Sequence, residues 1–151
     1  MAQQEETLDV ELALERLNGA LRLQYRSVLG YTLASGSMFG FEYQGLGDGL
    51  WEFGQAELED VRRLVEKITA LGGSPTTEVA DLEWNSDPER AVEWLIATEE
   101  KAIEALQDAI EPTGREGRSE ALEHLLEHLI LRKQNQLDFL VRAGRKPEGR
   151  N

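Results

Sequence analysis

No cysteine occurs in the chain. Disulfides, thiolate nucleophiles and cysteine metal sites are therefore excluded, and nothing reports the redox compartment. No apolar run approaches the length of a membrane span, and the opening MAQQEETLDVE is acidic and polar, without the basic start and apolar core of a signal peptide. A cytoplasmic protein with no membrane partner is expected. Basic charge is in deficit: 16 Lys and Arg stand against 29 Asp and Glu, a formal net charge of −13, and no basic block is longer than the GRK of the tail. That balance disfavours nucleic-acid backbones and anionic lipid as partners, and it favours cations at an acidic surface or cavity. Internal repeats and low-complexity segments are also absent.

What is present is enough for one core: 151 residues, 40% of them apolar, predict a single domain over residues 1–151. The stretch FGQAELEDVRRLVEKITAL, Phe53–Leu71, has helical apolar spacing through Phe53, Leu64, Ile68 and Leu71, and Glu57 and Asp60 fall on the same stripe. Carboxylates do not enter a core unpaired, so other helices must supply metal, protons or a counter-charge at this level.

Residues 1–6 read as a frayed tail. Thr7 or Asp9 can cap a first helix, about 8–38, with Leu14, Leu17, Leu21, Gln24, Val28 and Tyr31 facing inward. Leu12, Leu23, Tyr25, Leu29 and Leu33 lie off that stripe and give the helix more apolar surface than one core uses. This surplus predicts a subunit interface and a homo-oligomer, at least a dimer.

A glycine-rich turn leads to a second helix, about 47–72, ended by Gly72, Gly73 and Pro75. Ser86-Asp87-Pro88-Glu89 reads as a capping box for a third helix, about 88–110, with Glu99 on or beside its inward stripe. Pro112 and Gly114 end it, and a fourth helix follows over about 119–143, its apolar stripe broken by Lys133 and Gln136, with Gly144 and Pro147 as its stop. The link of about 16 residues between helices two and three can span ~50 Å at roughly 3.3 Å per residue, more than a 24-residue helix of about 36 Å. Helices two and three are therefore expected to run parallel, joined by one long crossover.

Gln24, Glu57, Asp60, Glu99, Lys133 and Gln136 each lie near the middle of a helix, so packing brings them to one height. With Lys133 as the only cation, this layer keeps two excess negative charges and calls for a bound cation or carboxyl protons. Tyr31 is expected to be a core tyrosine hydrogen-bonded to the layer. Trp51, Trp84 and Trp94 are expected to pack at helix ends and at the interface. HLLEH at 124–128 formally matches an inverted zinc-peptidase motif, yet Glu120, Glu123 and Glu127 beside it mark an exposed acidic face.

The chain resembles the bacterioferritins and their ferritin-like relatives over nearly its whole length: LN at 17–18, the helix carrying Gln24 and Tyr31, ELEDVRRLVEKITALGGSP, the ATE ending at Glu99, and QLDFL at 136–140. The resemblance implies an all-α, ferritin-like four-helix bundle with one long crossover between helices two and three. In that family a diiron ferroxidase centre takes a Glu from helix one, Glu-x-x-His from helix two, a Glu from helix three and Glu-x-x-His from helix four. The matching positions here are Gln24, Glu57-x-x-Asp60, Glu99 and Lys133-x-x-Gln136, so two of six ligands are unchanged and an ammonium replaces a bridging carboxylate. Leu58 stands at the haem-binding Met, so no haem is expected. The short fifth helix of 24-subunit cages is likewise not expected after helix four.

The expectation is thus a ferritin-like protein whose ferroxidase activity is lost and whose degenerate centre binds at most one divalent metal, iron or manganese, weakly through Glu57, Asp60 and Glu99. The alternative is a metal-free helical scaffold or binding module neutralised by Lys133. A third reading makes Tyr31 the site of a tyrosyl radical.

Overall fold

The computed structural model describes residues 7–38 and 40–144. The expected tail at 1–6, the proposed helix stop at Pro147 and Phe39 lie outside them. Four helices follow one another: α1 (Val10–Ser37), α2 (Gln44–Ala70), α3 (Pro88–Ile110) and α4 (Gly117–Gly144), with a 3-10 turn, Phe41–Tyr43, leading into α2.

Their ends follow from local chemistry. Asp9 caps α1, its carboxylate accepting from the Leu12 amide at 3.1 Å. Asp87 rather than Ser86 caps α3, accepting from the Arg90 amide at 3.1 Å, with Pro88 in the first turn. The four-residue pattern therefore caps one position later than a capping box. At the end of α2, Gly72 takes φ +87°, while the amides of Gly72 and Gly73 donate to the carbonyls of Thr69 and Ile68. This is the Schellman arrangement, which needs a residue tolerant of positive φ.

Helix α2 begins at Gln44, inside the stretch that its glycines make look like loop. Tertiary approach overrides propensity there: a Cβ on Gly47 would meet the Ser35 carbonyl oxygen at 3.4 Å, and one on Gly54 would meet the Tyr31 Cβ at 3.3 Å. The glycines let α2 lie close against α1, which more than offsets their intrinsic cost of about 1 kcal/mol each.

The direction of each helix is set by who touches whom. Gly54 meets Tyr31 and Gly73 meets Leu14, so α2 runs antiparallel to α1. The link then climbs back along α1: Asn18 bonds to the backbone of Ser74 and Thr76, and the Ala80 amide donates to the Arg22 carbonyl. Trp94 lies against Gly30 and Asp108 against Arg16, so α3 is antiparallel to α1 and parallel to α2. The crossover is thus end to end, as the length of the link allows.

Two apolar clusters fill the bundle. One, at the end near the α1 N-terminus, holds Leu17, Leu21, Leu64, Ile68, Leu106, Leu122, Leu126 and Leu129. The other, smaller, holds Tyr31, Ala34, Leu50, Leu95 and Leu140, with Phe53, Trp84 and Trp94 packed on it. Leu14 and Val28 of the expected α1 stripe are only half-buried, whereas Ala13, Ala20, Gly30 and Ala34 are buried. Small residues occupy the closest helix contacts, and a stripe read by large apolar side chains is turned slightly away from them.

Candidate functional site

Between the two apolar clusters lies a layer of polar side chains cut off from water. Gln24, Glu57, Asp60, Glu99, Lys133 and Gln136 are all buried, and Lys133 is fully so at 0% exposure. Each comes from mid-helix, where i, i+3 spacing puts Glu57 with Asp60, and Lys133 with Gln136, on one inward face.

Lys133 is the hub. Its Nζ donates to Glu57 Oε1 and Oε2 at 2.9 and 2.7 Å and to Glu99 Oε1 at 3.3 Å. Gln136 Nε2 bridges the same two carboxylates, reaching Glu99 Oε2 at 3.3 Å and also Glu57 Oε1. Gln24 Nε2 donates to a Glu57 carboxylate oxygen and, at 3.1 Å, to the Glu57 main-chain oxygen. Glu57 is thereby enclosed by donors from α1 and α4.

A residue absent from the sequence reading completes the layer. Arg132 reaches in from the edge of α4, donating from Nε to Asp60 Oδ2 at 2.8 Å and also from Nη2 to that oxygen. Its Nη2 lies 3.4 Å from Glu57 Oε1, and its Nη1 donates to Gln136 Oε1, which fixes the amide so that its nitrogen faces the carboxylates. Arg63 touches the outer oxygen of Asp60 at 3.4 Å from a half-exposed position. The signal for Arg132 lay in its spacing, three residues after the buried Leu129 and four before Gln136. Its side chain, 22% exposed, enters the layer from the rim, as a long side chain can.

The six expected residues are thus brought together, but not evenly. Glu57 and Glu99 share Lys133, while Asp60 is turned aside onto Arg132. Among the described residues, no three His, Cys, Asp or Glu side chains are grouped as a metal-binding cluster. Tyr31 is buried above the layer with its ring edge-on to Phe53, and its hydroxyl faces Glu99 without closing a hydrogen bond of ordinary length.

The electrostatics follow from three carboxylates facing two cations in a dry layer. Burial pushes the Glu99 carboxyl up to about 7, with Lys133 opposing and Glu57 reinforcing the rise. Burial likewise raises Asp60, against the pull of Arg132. Lys133 stays charged: burial lowers its pKa, but the Glu57 and Glu99 carboxylates outweigh this and the net shift is upward. Burial and the nearby Glu99 and Glu57 charges hold the Tyr31 phenol well above its ordinary value. One proton on Glu99 leaves Glu57 and Asp60 matched by Lys133 and Arg132.

Four helices with one end-to-end crossover and a polar layer at mid-height define the ferritin-like class of bundle proteins. The chain belongs to the ferritin-like domain family, whose model matches residues 14–143. No curated protein matches it by sequence. Among solved structures it is similar to a protein from Bacillus anthracis described as ferritin-like and diiron-carboxylate, with 25% identity and a TM-score of 0.85, covering 91% of this chain and 98% of that one. It also shares its fold with the bacterioferritin of Rhodobacter capsulatus, with 19% identity, a TM-score of 0.80 and 96% and 99% of the two chains covered. BfrA from M. tuberculosis is a further fold match at 20% identity and a TM-score of 0.78, covering 86% and 81%.

Proposed function

We propose that this protein is a ferritin-like helical scaffold or binding module without diiron ferroxidase activity, its centre closed by ion pairs instead of iron. The observation that carries this reading is the Lys133 ammonium, fully buried and bonded to both Glu57 and Glu99. An ammonium between two carboxylates repels a dication that would need the same oxygens, and Arg132 does the same at Asp60. Gln24 and Gln136 add amide N–H donors to the Glu57 carboxylate, so its charge is held by hydrogen bonds as well as by Lys133.

The structural relatives include a diiron-carboxylate protein and a bacterioferritin described as having a metal-free dinuclear site and haem iron. Descent from an iron-handling bundle accounts for Glu57 and Glu99, and the substitutions around them for a centre that now neutralises itself. The other reading is one iron or manganese ion held weakly by Glu57, Asp60 and Glu99. It requires Lys133 and Arg132 to release all three carboxylates.

Metal analysis of protein purified without tag or chelator, together with aerobic Fe(II) oxidation, tests the choice. Less than a tenth of an equivalent of iron or manganese and no oxidation above the uncatalysed rate are expected. Stoichiometric metal at the layer, or rapid oxidation with ordered diiron in the bundle, would overturn the proposal.

A further inference from the structure

We propose that His124 and His128 form a surface chelate for one divalent transition-metal ion of the zinc, nickel or copper type, separate from the buried layer. Both lie within α4 (Gly117–Gly144) and both are exposed. Residues four apart on a helix are neighbours, with about 5–6 Å between Cβ atoms. At that distance two imidazoles converge on a single ion, as in helical motifs that place two histidines at i and i+4.

The surroundings favour a cation. Glu120, exposed one turn before His124, shares its face, and Glu127 is exposed beside His128. Neither histidine forms an ion pair among the described residues, whose ion pairs on α4 involve Arg118, Arg132 and Lys133. The site is a two-point chelate, because no cluster of three or more His, Cys, Asp or Glu ligands is assembled among the described residues. Water completes the coordination, and the Glu120 and Glu127 carboxylates contribute negative charge nearby. Imidazole nitrogen selects zinc, nickel and copper over magnesium and calcium, which prefer all-oxygen sites. An exposed pair of histidines with no third protein ligand among the described residues suits binding and not the hydrolysis that HLLEH formally suggests.

The layer is distinct in place and chemistry. Lys133 is five residues further on and points into the core, whereas the histidines face solvent. Calorimetric titration of the untagged protein with zinc chloride, repeated with copper(II) sulfate, is the test. One equivalent per chain is expected. His124→Ala or His128→Ala should weaken binding at least about tenfold, since losing a ligand costs no less than losing the partner that orients one. Glu99→Gln should leave it unchanged. Binding should weaken toward acid pH as protons compete for the imidazoles, and the copper spectrum should show two nitrogen ligands.

Both substituted positions are exposed, so circular dichroism should report an intact fold. Absence of binding overturns the proposal, and so does binding that persists in the His124→Ala/His128→Ala double variant. If that persistent binding is lost in Glu99→Gln, the metal sits in the layer, and the metal-free reading of the centre fails as well. The two failures are therefore distinguishable.

Discussion

Lys133 decides the character of the centre, and its removal is the most direct probe. Lys133→Met should strand Glu57 and Glu99 in a dry layer and cost about 3–5 kcal/mol at neutral pH. The loss should ease toward acid, because stranded carboxyls have folded pKa values above their unfolded ones and protonation then favours the folded state. Urea unfolding at several pH values measures this, and a variant as stable as the parent at every pH would show that Lys133 does not neutralise the layer. Glu99 supplies the complementary test. Its folded pKa of about 7 lies above the roughly 4.3 of an unfolded glutamate. Its contribution is therefore fully present below about 4.3 and is lost as pH rises toward 7. The raised pKa of Asp60 acts with the same sign. Glu99→Gln keeps the shape and stays neutral at every pH, so it should flatten the decline between about pH 4 and 7 and gain on the parent by about 1–3 kcal/mol at the upper end. An unchanged slope in the variant would assign the pH dependence to other groups.

At the scale of helices, much of the site was legible because helical period is rigid. Glu57 with Asp60, Glu99, and Lys133 with Gln136 could be placed inward from spacing alone, and the glycine pair after α2 marked its stop. The length of the link also allowed the crossover to be expected, since it is long enough for an end-to-end path. What escaped was set by tertiary approach. The start of α2 at Gln44 is stabilised by glycines that fit against α1, a contact no local propensity encodes. The inward edge of α1 is built from Ala13, Ala20, Gly30 and Ala34, too small to register as an apolar stripe. Arg132 escaped because an arginine at a stripe's rim reads as solvated unless its carboxylate partner, 72 residues away in sequence, is known. It also changes the design of a restored centre. Lys133→Glu with Gln24→Glu, Asp60→His and Gln136→His rebuilds the family's ligand set but leaves the guanidinium 3.4 Å from Glu57. Paired iron should therefore bind well only when Arg132→Ala is added. Anaerobic Fe(II) titration of the two variants compares them, and equal affinity would show that Arg132 does not guard the layer.

For the whole molecule, the apolar surface left over by the bundle is the basis on which we predict association. Leu29 and Leu33 on α1 are 41% and 38% exposed, and Trp51 and Leu58 on α2 are 48% and 58% exposed. Helices α1 and α2 pack directly on each other, so these side chains belong to one two-helix layer of the bundle. Scattered exposed leucines are ordinary, but several large ones on adjoining helices favour a two-fold interface in which the same surface serves both subunits. A net charge of −13 opposes this, since like-charged subunits repel over the Debye length, about 10 Å at 0.1 M salt. The balance of the two sets the prediction. The protein should sediment as a dimer or larger at micromolar concentration, with association strengthened by salt as the repulsion is screened. Trp51→Glu with Leu58→Glu should weaken it at least about a hundredfold, each charge costing at least about 1.4 kcal/mol, while thermal stability stays near that of the parent because neither side chain enters the core. A parent chain that sediments as a monomer at those concentrations, at low and high salt alike, would show that the apolar face of α1 and α2 is solvated rather than shared.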